Sequence, residues 1–169
     1  MKTLASTKSL ILRYTPKNAI PTVGLRYLNI PLHPLRPKIA HMYEHRDRNT
    51  LWWRVSVHPL MQFRRVVRSW SARRARFAFK QALKERGFDG EGRKILDNTQ
   101  GTDTTTVGTS QGLTGSCEII VREQCIKEEY PQIQEEMSSL VDTLLQQSQQ
   151  PSSKPTQRKR REPKQKASR

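Results

Sequence analysis

The first forty-three residues contain neither Asp nor Glu. Lys2, Lys8, Arg13, Lys17, Arg26, Arg36 and Lys38 stand there with no carboxylate to offset them, which excludes an internally neutralised surface over this stretch. Two expectations follow, a mitochondrial targeting segment or a basic arm lying on a polyanion. Pro16, Pro21, Pro31, Pro34 and Pro37 confine any amphipathic targeting helix to roughly the first fifteen residues. Cysteine is nearly as scarce. Cys117 and Cys125 lack any CxxC neighbour, so neither a zinc ribbon nor a disulfide framework is signalled, and both are expected as ordinary buried thiols. Apolar residues never run long enough to span a bilayer, and a secretory h-region is missing, so no membrane partner is expected. Gly-rich phosphate loops and G-x-S-x-G are also lacking, and no Cys–His nucleophile pair stands out. No enzyme and no cofactor is expected.

What the sequence does contain is positive charge in an ordered distribution. The 169 residues carry a net charge of +16 and a pI near 10.5, which favours a polyanionic partner. Residues 1–86 hold nineteen Lys and Arg against Glu44, Asp47 and Glu85. Residues 87–150 reverse the sign, with four basic residues against eleven acidic ones. The last nineteen residues are basic again, eight against Glu162, and include the run Arg158, Lys159, Arg160 and Arg161.

Hydrophobic periodicity places the regular elements. Leu51, Trp53, Val55 and Val57 alternate with Trp52, Arg54, Ser56 and His58, predicting a half-buried strand that Pro59 helps to end. Trp52 is expected in the core, with base stacking as the competing use. Met61 to Arg86 reads as a long helix with Gly87 as its C-terminal stop. A second strand is predicted where Cys117, Ile119 and Val121 alternate with Glu118 and Ile120, and another at Leu10 to Tyr14. Pro131 suits a helix start, and Ile133, Met137, Leu140, Val141, Leu144 and Leu145 recur along one helical face. The expected fold is α+β, a small single domain with a strand-helix-strand-helix core. Its predicted boundaries are a basic arm or targeting segment over 1–43, the domain over 44–147 and a disordered basic tail over 148–169. A flexible Gly/Thr-rich linker over 87–116, which holds seven of the eight glycines, is expected to interrupt the domain.

Function is expected to concentrate on the long helix. The helix is expected to carry Phe63, Val66, Val67, Trp70, Phe77 and Ala78 on one broad side as its packing seam, with Ala75 and Ala82 at the edge, and Arg65, Arg73, Arg76, Lys80 and Lys84 on the opposite side. Glu85 is the only acid in the helix, so these cations lack intrahelical partners and are expected to bind phosphates. Arg54 and the tail cluster Arg158, Lys159, Arg160 and Arg161 complete the candidate nucleic-acid-binding set. Arg74 falls in the apolar sector, which requires either a snorkelling head or a contact partner. His41 to His45 fits H-x-x-E-H, in which two His a helical turn apart hold zinc and the Glu serves as base. The match is short, and Arg46 and Arg48 would oppose a dication, so no metal is expected.

These readings converge on a non-catalytic RNA-binding component of a ribonucleoprotein, with structured RNA such as rRNA and neighbouring proteins of the particle as partners. A mitochondrial ribosomal protein is the leading expectation. The Arg158 to Arg161 cluster supports a nuclear or nucleolar RNA-processing factor instead. An adaptor docking through the helix over 131–147 is the alternative of another class.

Overall fold

Leu10, Leu12 and Tyr14 are buried on one face of a strand and alternate with Ile11, Arg13 and Thr15, so the strand predicted near the N-terminus is part of the core. The computed structural model describes residues 1–95 and 112–149. The centre of the expected linker and almost all of the expected tail, with Arg158, Lys159, Arg160 and Arg161, lie outside the described residues.

The strands are β1 (Lys2–Ser6), β2 (Leu10–Thr15), β3 (Leu51–Ser56) and β4 (Gly115–Val121). They form one mixed sheet in the order β1-β2-β4-β3, with β2 antiparallel to β4 and β3 parallel to it. The β2–β3 connection carries α1 (Thr22–Leu28) and α2 (Arg36–Glu44). Next come a single 3-10 turn at His58–Leu60, α3 (Arg65–Glu85), α4 (Gln124–Lys127) and α5 (Tyr130–Gln149). The architecture is a small single α+β domain, as the periodicity predicts.

The expectation that residues 1–43 form an arm outside the domain is corrected. β1 and β2 lie in that segment and supply half of the sheet, and Leu10 and Leu12 are fully buried. The carboxylates missing from the segment are provided from the acidic half of the chain. The Thr7 hydroxyl donates to Glu136 at 2.6 Å, the Ser9 amide reaches the same carboxylate at 3.2 Å, and the Ser9 hydroxyl donates to Glu128. A hydrogen bond to a charged acceptor contributes about 1.5–3 kcal/mol, so the β1–β2 turn is held by charges more than a hundred residues away.

Register sets the two faces of the sheet. Leu10, Leu12 and Tyr14 pair with Val121, Ile119 and Cys117, and Val55 and Trp53 flank Ile119 and Cys117 from β3. This face joins one core with Phe79 and Leu83 of α3 and with Ile133, Met137, Leu140, Val141 and Leu144 of α5. Burial of each large apolar side chain contributes about 1.5–3 kcal/mol. β4 is buried at every position, because it lies between two strands and is covered on both faces.

Two glycines fix chain direction. Gly115 has φ 100°, and a Cβ there would lie 2.5 Å from the Thr15 carbonyl oxygen, so only glycine lets β4 enter beside β2. Gly87, at φ 75°, ends α3 as predicted. The Gly87 amide donates to Lys84 O and the Phe88 amide to Leu83 O, both at 3.0 Å, while Phe88 and Leu83 share the core. Both described ends of the expected linker are packed: Phe88 is buried and bridges to Lys94, and Leu113 joins the core. At the other end, α3 starts at Arg65 rather than Met61, because Pro59 closes a 3-10 turn and Arg64 is extended.

Candidate nucleic-acid interface

The long helix buries a different side from the one its hydrophobic residues suggest. Ser71, Ala72, Ala75, Ala78, Phe79, Ala82 and Leu83 are buried, whereas Val66, Trp70 and Phe77 are 76%, 45% and 62% exposed. The expectation that Val66, Trp70 and Phe77 form the packing seam is thus corrected. Alanines have no bulk to separate backbones, so the alanine face lets α3 pack closely on α5 and the sheet. A hydrophobicity-weighted projection favours large residues and so points away from it. The signal that marks the true seam is the recurrence of Ala72, Ala75, Ala78 and Ala82 at helical spacing.

Arg65, Arg73, Arg76, Lys80 and Lys84 are all exposed, as expected. Among the described residues none has a carboxylate within salt-bridge distance. They are not segregated from the apolar residues, however. Arg73, Lys80 and Lys84 share the outward stripe with Val66, Trp70 and Phe77.

Arg74 resolves as a structural cation. Its guanidinium donates to the carbonyls of Cys125 at 3.1 Å and Glu128 at 2.9 Å, closing the α4–α5 corner, and lies 4.3 Å from the centroid of the Trp70 indole. Arg86 plays a similar part between α3 and α5. It donates to Asp142 at 2.5 Å and to Ser138 O at 2.8 Å, and this bond holds the Asp142 carboxyl below its usual range.

Arg54 stands apart from the α3 cations. Register places Arg13, Glu118 and Arg54 side by side on the sheet face away from α3, and Glu118 is only 7% exposed. Arg54 donates to one Glu118 oxygen and Arg13 lies 3.7 Å from the other. A buried carboxylate requires such partners, so the charge of Arg54 is committed within the sheet rather than free for phosphate. Trp52, on the same face, is buried under α2. Tyr43 lies 5.8 Å from its ring, Arg46 4.8 Å, and its indole N–H donates to Asp47 O at 2.8 Å. Its surroundings are those of a core residue.

His41 and His45 stack on each other at 3.9 Å on exposed α2, and the His45 Nδ1 lies 2.9 Å from the His41 carbonyl oxygen. Glu44 turns elsewhere, lining a cleft of ≈ 640 Å³ with Asn18, Tyr43, Arg48 and Trp52. No three His, Cys, Asp or Glu side chains gather in metal-binding geometry among the described residues. Both thiols are buried and free. Burial pushes Cys125 up to about 11 and Cys117 higher still, so neither is an activated nucleophile near neutral pH. Among the described residues no helix is long and apolar enough to cross a membrane. No family model, curated protein or solved structure matches the chain.

Proposed function

We propose that the protein is a non-catalytic RNA-binding component of a ribonucleoprotein. The observation that carries this reading is the outward side of α3, where Arg65, Arg73, Arg76, Lys80 and Lys84 stand without carboxylates among the described residues. Like charges gathered on one helix repel one another, and phosphates relieve that cost by displacing condensed counterions. Such contacts position a protein on RNA without reading its sequence. Within the acidic half of the chain, Glu128 and Glu136 are engaged at the β1–β2 turn and Asp142 at Arg86, and among the described residues no carboxylate reaches the α3 cations.

Binding of RNAs of unrelated sequence across a salt series tests the reading. Affinity that falls steeply on a log–log plot supports it, and a flat line refutes it.

The mitochondrial ribosome is the leading particle, with the acid-free first forty-three residues acting as an uncleaved targeting segment because β1 and β2 within them belong to the sheet. The cluster Arg158, Lys159, Arg160 and Arg161 favours a nuclear particle instead, and imaging a tagged copy separates the two. The adaptor alternative loses its docking face. Ile133, Met137, Leu140, Val141 and Leu144 of α5 are all turned into the core.

A further inference from the structure

Residues 66, 70, 73, 77, 80 and 84 follow one another at intervals of four and three, the spacing that keeps side chains on a single line along a helix. Read outward along α3, the line is Val66, Trp70, Arg73, Phe77, Lys80 and Lys84, an aliphatic residue followed by an aromatic, a cation, an aromatic and then two cations. Trp70 and Phe77 are separated by about 10 Å of helix rise, with Arg73 between them.

The two rings are held before any ligand arrives. Arg74 covers part of Trp70 and is itself tied to the Cys125 and Glu128 carbonyls, so the indole rests on a fixed guanidinium. Phe77 lies 5.9 Å from the Tyr130 ring, whose hydroxyl is within hydrogen-bond reach of Gln81 and Gln134. Exposed apolar residues scattered singly need no explanation, but supported rings alternating with cations that have no carboxylate partner among the described residues do.

We infer that this stripe holds an unpaired RNA segment, with bases stacked on Trp70 and Phe77 and the intervening phosphates on Arg73, Lys80 and Lys84. The inference rests on the phosphate-binding reading above and adds the class of RNA. A duplex offers phosphates but keeps its base faces stacked inside, which would leave both rings in water. An unpaired strand offers base faces and phosphates in alternation, matching the order of the stripe. An acidic protein would satisfy the cations but has no comparable alternation of flat faces and charge.

The test uses the full chain and three probes: a short oligouridylate, an RNA duplex of equal charge, and base-free inorganic polyphosphate. The parent is expected to favour the oligouridylate. Trp70→Ala with Phe77→Ala should weaken oligouridylate binding about tenfold or more. Duplex and polyphosphate binding, and the salt slope, should stay unchanged. Trp70→Phe with Phe77→Tyr keeps planar rings and should restore affinity, which separates stacking from damage to the fold. Equal binding of oligouridylate by parent and the alanine variant overturns the inference. So does parent binding of polyphosphate as tight as of oligouridylate, which would show that the rings add nothing to RNA binding. Both leave the phosphate reading standing; that reading falls if the parent binds none of the three probes, as it does if the salt dependence is flat.

Discussion

Phe79 and Trp70 lie on opposite sides of one helix. Phe79 is fully buried with its ring 4.8 Å from that of Trp53, while Trp70 is 45% exposed. Nine residues at about 100° each make a half-turn in register, so the two aromatics cannot both face the core. Phe79→Ala should cost about 3–5 kcal/mol by leaving a cavity. Trp70→Ala should cost about 1 kcal/mol or less, chiefly its contact with Arg74. Urea unfolding of the two variants checks the ordering, and a larger loss at Trp70 would show that the faces of α3 are assigned wrongly.

Changing Arg73, Arg76, Lys80 and Lys84 together to Gln keeps good helix formers on exposed positions. Folding should survive, RNA affinity at moderate salt should fall by orders of magnitude, and the log–log salt slope should drop by about 3. A titration at several salt concentrations reads both numbers. An unchanged slope would mean that phosphates are met elsewhere.

The two aromatic faces of α3 also show where the sequence is legible and where it is not. β3, β4 and α5 were readable because their core residues are large and recur at period two or 3.6, as Leu51–Val55, Cys117–Val121 and Ile133–Leu144 do. α3 was readable as a helix but not in its orientation, since its seam is mostly alanine. β1 was not readable, because the Lys2–Ser6 segment gains its place from pairing with β2 and from Glu136, which is remote in sequence. α1 and α2 hide among prolines, yet Pro21 and Pro37 sit at their N-termini, where proline is tolerated. In the candidate site, the cations were legible from the lack of neighbouring acids. The exposure of Trp70 and Phe77 was not.

Gly87→Ala and Gly115→Ala should differ in cost. At Gly87 nothing lies within 4 Å of an added Cβ, so the penalty is the positive φ alone, about 1–2 kcal/mol. At Gly115 the same backbone penalty is joined by a collision 2.5 Å from the Thr15 carbonyl oxygen, which neither strand can relieve without breaking register. Denaturant midpoints of the two variants should therefore separate, with Gly115→Ala much the lower.

Asp142 makes acid stability depend on Arg86. Its folded pKa lies below the ordinary 3.8, so the unfolded chain takes up its proton first as pH falls. The stabilisation is complete above 3.8 and is lost as pH falls through the lower folded value. Asp142→Asn should therefore lower the unfolding midpoint near neutral pH, and the gap from the parent should close in acid. A gap that persists in strong acid would assign the effect to something other than this carboxylate.

Cys117 and Cys125 should resist thiol reagents in the native protein near neutral pH, since both are buried and held protonated. Labelling should appear with unfolding as urea is raised. Rapid labelling of either thiol without urea would show that the face of β4 or the α4 corner opens far more readily than its burial implies.

The strand at the centre of the sheet is the last of the four to leave the ribosome. β4 is the only partner joining the β1–β2 hairpin to β3, and its pairing of Tyr14 with Cys117 spans over a hundred residues. A nascent chain that ends before residue 115 holds the β1–β2 pair and a β3 segment without its strand partner, together with most of the positive charge of the protein. Loop closure on this scale is slow, so synthesis leaves a long interval in which a strongly cationic, half-assembled chain must be kept from pairing with other strands.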